Sequence, residues 1–160
     1  MSIIKVKEYF HQYNREKDIL EFTVSSATVE LAAQALQVIP ARIAKTLSFK
    51  TENGCILIVT AGDSKIDNSK YKAEFHCKAK MLTPEEVIDF TGHAIGGVCP
   101  FAITNPKVKT YLDISLQRFV TVFPACGSSN SAIELTCEEL FAYSNALAWV
   151  DICKGWQEDI

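Results

Sequence analysis

The residues with the most chemical promise fall in one stretch, Thr91-Gly92-His93-Ala94-Ile95-Gly96-Gly97-Val98-Cys99-Pro100-Phe101. Three glycines within six residues, closed by a proline, describe an exposed and rigidly bounded loop. Glycine lets a chain pass close to a ligand and aim successive N–H groups into a concavity that binds an anion or a carbonyl oxygen. The plain alternative is a tight connection between a helix and a strand. The stretch is not a phosphate-binding P-loop, because no Gly-Lys-Ser/Thr follows, and it lacks the GxGxxG spacing of a dinucleotide site. A second feature is Lys45, inside Arg42-Ile43-Ala44-Lys45-Thr46-Leu47. A lysine bracketed by apolar residues either snorkels to the surface or faces a cavity.

Cys99 with His93 is the sharpest rival chemistry, since a reactive thiolate needs a base or a helix N-terminus. A packed thiol is the alternative. The six cysteines stand at 55, 77, 99, 126, 137 and 153 with no CxxC pair, so spacing gives no zinc site, and His76-Cys77 has no second ligand pair. No metal or cofactor is expected. His11 lies on a polar helix face, Trp149 and Trp156 read as packing residues, and Glu138 and Glu139 as part of a helix cap.

Lys45-Thr46 at the start of a strand, the Gly-x-x-x-Pro loop from Gly96 to Pro100, and a further glycine loop at Gly127 before Ile133-Glu134-Leu135-Thr136 together resemble the YbaK/EbsC/ProX family. That family resembles the editing domain inserted in bacterial prolyl-tRNA synthetases. The resemblance runs from about Phe22 to Leu140 and includes Ser26–Leu36 and Ala61-Gly62-Asp63. It implies an aminoacyl-tRNA deacylase, which hydrolyses the ester joining a wrong amino acid to the terminal adenosine of a tRNA. Lys45 would then hold or polarise the terminal phosphate or carbonyl. Gly96, Gly97 and Pro100 would complete the catalytic set, and the substrate's ribose hydroxyl would activate water. Phe22, Thr28, Thr46, Val98, Cys99, Gly127 and Ser129 are the substrate-binding candidates, with a Ser-rich turn the bland alternative for Ser129. The partners implied are aminoacyl-tRNA and an aminoacyl-tRNA synthetase, in a monomer or small homo-oligomer. A non-catalytic binding module on the same fold is the other reading.

Ester hydrolysis develops negative charge on the carbonyl oxygen, and an ammonium with a few aimed N–H groups is a minimal apparatus to stabilise it. An acidic chain, net charge −3, must also meet tRNA. Residues 65–80 supply Lys65, Lys70, Lys72, Lys78 and Lys80 against only Asp67 and Glu74, with Lys107 and Lys109 extending the patch toward backbone phosphates. The alternative is an ordinary solvated stretch.

The 160 residues, 48% hydrophobic and 22% charged, suit one domain spanning 1–160 and exclude a disordered chain. No apolar run approaches the ~18 residues of a membrane span, and no secretory signal is visible, so a cytoplasmic location is expected. Apolar spacing predicts a helix over 3–13, and a strand over 19–24 leads to a helix capped at Ser25-Ser26 and running through Leu36. Strands follow at 46–50 and 55–61, joined by Asn53-Gly54. Capping boxes begin helices at Thr83 and Thr136. Short strands are predicted near 101–104, 110–114, 119–123, 131–135 and 148–153. The pattern is a mixed α/β domain, and the resemblance adds a curved, barrel-like mixed sheet surrounded by helices.

Overall fold

The computed structural model describes residues 2–157. The chain runs α1 (Ser2–His11), β1 (Leu20–Glu21), α2 (Val29–Leu36), β2 (Ile43–Lys50), β3 (Cys55–Ala61), β4 (Lys65–Ile66) and α3 (Asn68–Phe75). It continues with α4 (Pro84–Thr91), β5 (Val108–Asp113), β6 (Thr121–Pro124), β7 (Ser131–Ala132), β8 (Leu135–Thr136), α5 (Cys137–Tyr143), β9 (Trp149–Val150) and β10 (Cys153–Lys154). Among the described residues no helix is long and apolar enough to cross a membrane.

Six strands form a curled half-barrel in the order β8-β6-β2-β3-β5-β9. The Asn53-Gly54 turn makes β2 and β3 an antiparallel hairpin in register from Lys50↔Cys55 to Ala44↔Ala61. Parallel partners then flank it, β6 on β2 and β5 on β3. All seven residues of β3 are buried, as a strand covered on both faces requires. Side chains alternate along β2. Ala44 joins the largest core cluster with Val59, Ala61 and Leu112. On the opposite face Ile43 packs with Ala32, Ala33 and Phe123, and Phe49 packs with Ile58 and Tyr71. Lys45 lies on that second face, between the packing of α2 and the packing of α3.

Both capping boxes form as expected. Thr83 and Thr136 each accept from the backbone of a glutamate three residues on, whose side chain bonds back. Helix α2 begins later than Ser25-Ser26 because Thr28 is its N-cap, accepting from Leu31 N–H at 3.2 Å. The Ser26 amide bonds instead to the Ser129 carbonyl, at 2.6 Å. The strand expected over 19–24 shrinks to Leu20–Glu21, which pairs with β7. No strand forms at 101–104, where Ala102 takes φ +58°, a left-handed value incompatible with extended chain. Helix α3, inside the lysine-rich stretch, had no expectation at all. Asp67 caps it, Tyr71 is its one fully buried residue, and Phe75 packs beside it against Tyr111, so its apolar face is only two residues long.

Candidate active site

A cavity of about 120 Å³ opens where the start of β2 passes beneath two loops. Its floor is Ile43, Ala44, Lys45 and Thr46. One wall is the approach to α2 with the helix's first turn: Ser26, Ala27, Thr28, Val29 and Ala32. Gly96 and Val98 close a second side, and Phe123, Ala125, Ser131 and Ala132 a third. Lys45, Thr46, Thr28, Gly96 and Val98, five of the residues singled out in the sequence, therefore share one concavity.

Lys45 faces this cavity instead of snorkelling away from it. Its Nζ donates to the Ser64 carbonyl at 2.6 Å. Burial pushes its pKa below the ordinary lysine value, while the fields of Cys153, Asp63 and Glu30 act in the opposite sense. Ser64 is fully buried and its hydroxyl donates to the Ala61 carbonyl at 2.7 Å, so the acceptor is fixed. The result is a half-buried ammonium held by the Ser64 carbonyl at the edge of the cavity.

The two glycine loops touch one another. A Cβ at Gly97 would lie 2.7 Å from the Ser128 nitrogen and 2.8 Å from the Gly127 carbonyl carbon. A Cβ at Gly96 would sit 3.6 Å from that of Ala27 and 3.8 Å from that of Ser129. Gly96 has φ +97° and Gly127 φ +89°, which suit glycine and few other residues. Ser129 lines no part of the cavity, but its carbonyl receives the Ser26 amide and so fixes the wall before α2. Phe22 is placed similarly, through the Phe22 amide to the Asn130 carbonyl at 2.8 Å and the Asn130 side chain to the Phe22 carbonyl at 2.9 Å. Gly97, Pro100, Gly127 and Cys99 also lie behind the lining, and Pro100 borders a separate cavity with Pro106 and Leu147.

Cys99 and His93 meet, with Sγ 3.5 Å from Nε2. Both are buried, and burial pushes the Cys99 thiol up to about 12, the reverse of an activated nucleophile. Among the described residues no three His, Cys, Asp or Glu side chains converge as metal ligands. His11 pairs with Glu16 at the surface. Trp149 stacks on Phe141, and Trp156 lies under the Arg118 guanidinium. Of the lysine stretch, Lys65, Lys72, Lys78 and Lys80 are exposed, and Lys72 and Lys78 border one shallow groove with Asn68 and Ser69. Lys70 is engaged by Asp151 at 3.0 Å and by the Cys153 carbonyl. None of the five lines the Lys45 cavity.

Sequence reasoning did not single out Ser64, Val29, Ile43, Phe123 or Ser131. Strand alternation places Ile43 beside Lys45, whereas Ser64, Phe123 and Ser131 are brought there only by tertiary structure.

Residues 23–143 match the model of the aminoacyl-tRNA editing domain family. The chain belongs to that family. The uncharacterised protein YwhH of Bacillus subtilis (strain 168) is 57% identical over 158 residues, 98% of this chain and 100% of YwhH. The proline–tRNA ligase of Thermotoga maritima is 29% identical over 115 residues, covering 71% of this chain and only 20% of the ligase. A solved structure described as a candidate trans-editing enzyme for prolyl tRNA synthetase superposes with a TM-score of 0.86 at 30% identity, covering 96% of this chain and 98% of the other. The hypothetical protein APE2540 gives 0.81 at 26% identity, over 94% and 99%. Both solved structures superpose over nearly the whole chain and so share the mixed, curled sheet described above.

Proposed function

We propose that this editing domain, residues 1–160 acting as one unit, is a trans-editing deacylase. It hydrolyses the ester of a mischarged amino acid of the alanine, cysteine, serine or threonine class on the terminal adenosine of tRNA. The observation that carries the reading is that Lys45, Gly96 and Val98 line one cavity.

Lys45 supplies a point charge to a phosphate or carbonyl oxygen of the substrate, in a desolvated setting where that charge acts more strongly than in water. The loop backbone, braced from behind by Gly127–Ser128, holds the ester in place. Each preorganised donor aimed at a developing oxyanion is typically worth ~3 kcal/mol of barrier. The adjacent ribose hydroxyl orients the attacking water, so the protein need not provide a base. Neither a Ser/His/Asp set nor an exposed thiolate stands in the cavity to take that part. The exposed lysines 65, 72, 78 and 80 meet tRNA phosphates, with Lys70 restrained by Asp151. The reaction takes place in the cytoplasm, where charged tRNA and the synthetases are found.

A second sieve has a physical rationale. A synthetase gains only ~1–3 kcal/mol from one methylene, so a small pocket that hydrolyses what fits inside it restores accuracy. The test is a panel of mischarged tRNAs (Ala, Ser and Cys on tRNA-Pro, Ser on tRNA-Thr and tRNA-Ala) with wild type beside Lys45→Ala. Turnover of one ester that disappears in the variant supports the deacylase. No turnover with tRNA still bound transfers the assignment to a non-catalytic binding module.

A further inference from the structure

His93 is fully enclosed and sits outside the cavity, yet its ring joins both ends of the glycine loop. Its backbone N–H donates to Thr91 Oγ1 at 3.1 Å, anchoring the loop to the last turn of α4. Its Nε2 lies 2.8 Å from the Phe101 carbonyl, at the far end. A carbonyl only accepts, so Nε2 carries the hydrogen. In the neutral ring that burial favours, Nδ1 is then an acceptor, and the Ser2 hydroxyl of α1 donates to it. Ser2 in turn lies against Gly127, where an added Cβ would come within 2.7 Å of its Oγ. His93 is thus fixed at the start of the loop by its backbone, and its imidazole ties that point to the loop's end and to the helix that backs the second glycine loop.

We propose that His93 is a positioning residue for the loop, acting through the Phe101 carbonyl to hold Gly96–Val98 against the Lys45 cavity. This rests on the deacylase reading only for its effect on turnover. The seven residues 94–100 have one internal backbone hydrogen bond of their own, Gly97 N–H to the Ala94 carbonyl at 3.0 Å. Without the imidazole the loop's ends are joined only through the chain, and the oxyanion-side geometry loosens while the cavity itself persists.

The experiment uses three variants. His93→Gln places an amide nitrogen where Nε2 stands and keeps the bond to Phe101. His93→Asn keeps only the Nδ1 side, and His93→Phe keeps the volume alone. Amide hydrogen exchange is read at Gly97, with the β3 amides as the folding control, beside kcat and KM for the ester that wild type hydrolyses. The expected result is exchange at Gly97 ~tenfold faster in Asn and Phe, near wild type in Gln, and β3 unchanged, in keeping with the loss of one hydrogen bond. In the same two variants kcat falls about tenfold and KM moves less than about twofold, with Gln rescuing both. Wild-type exchange in His93→Phe, or faster exchange in β3 alongside Gly97, overturns the proposal. If wild type hydrolyses no ester, the deacylase reading falls and the Gly97 exchange alone still decides this one.

Discussion

Gly97 and Ser128 meet backbone to backbone, so closely that a Cβ on Gly97 would lie 2.7 Å from the Ser128 nitrogen. The contact explains why the loop at 96–100 can stay near the cavity although several of its residues never line it. Gly97→Ala must push the two glycine loops apart, at a cost of ~1–3 kcal/mol, and deacylation should fall with it. Gly92→Ala is the control. It meets nothing within 4 Å and suffers only from its φ of +77°, so it should cost about 1 kcal/mol and leave turnover intact. Thermal unfolding and single-turnover assays on the pair check both.

Lys45→Met should separate stability from activity. Burial disfavours the Lys45 charge, so its folded pKa is depressed. A depressed group favours folding above its unfolded value, near 10.5, and that advantage is lost as pH falls through the folded value. At neutral pH the ammonium is therefore a burden that an apolar chain of similar length removes. The variant should melt a few degrees higher, ~2–4 °C per kcal/mol at this size, while hydrolysing no ester. Calorimetry at neutral pH decides it, and a lower melting temperature would count against the cavity-facing charge.

The capping box of α4 gives a pH signature in acid. Glu86 is held down to about 2, first by the Thr83 backbone N–H and then by Lys50. Its contribution is fully present above about 4.5 and is lost as pH falls from there through about 2. The stability gap between wild type and Glu86→Ala should be constant near neutrality and close over that acid range. Thr83→Ala should lower Tm by ~2–4 °C at neutral pH.

Much of this was legible from local signals. Both capping boxes, the Asn53-Gly54 hairpin and the apolar face of α2 follow from adjacent residues, and the structure has all three. The family pattern pointed to Lys45, Thr46 and Gly96, with Thr28 as a pocket candidate beside them, and one cavity takes in all four. Helix α3 was not legible, because Tyr71 and Phe75 are its only apolar contacts among Lys70, Lys72 and Glu74, too short a stripe to count. The expected strand at 101–104 failed for a different reason. Phe101 is apolar enough for a strand, but its ring packs on Phe10 of α1 and the next residue, Ala102, turns to a positive φ. Ser64 escaped notice because a backbone carbonyl has no side-chain signature.

Alkylation separates the cysteines. Cys77 and Cys137 are partly exposed, whereas Cys99 is fully buried with its thiol pushed up to about 12. Iodoacetamide near neutral pH should modify Cys77 and Cys137 first, leave Cys99 untouched in the native protein, and leave deacylation unchanged. Mass spectrometry of the labelled peptides beside the activity assay checks this, and early labelling of Cys99 with loss of activity would restore the thiol chemistry.

Exposed lysines should govern tRNA affinity. Lys72→Glu with Lys78→Glu removes the two lysines that share a groove. Binding of tRNA should weaken, and its salt dependence flatten by about one to two in the log–log slope, with kcat on bound substrate unchanged. Titrations at several salt concentrations measure it, and an unaltered slope would exclude this face.

The cavity is assembled from pieces of chain that are far apart: Lys45 on β2, Gly96 some fifty residues later, and Ser131 and Ala132 on β7. During synthesis, the β2–β3 hairpin can close early, because its contacts are local, but it carries Lys45 with no roof above it. The pocket exists only after β7 has emerged and paired with β1. A chain that stops before β7 therefore holds Lys45 between the approach to α2 and the Ser64 carbonyl but lacks the further wall that would enclose and select a substrate. A chain cut short before Ser131 should be inert toward charged tRNA, with selectivity and activity both waiting on β7.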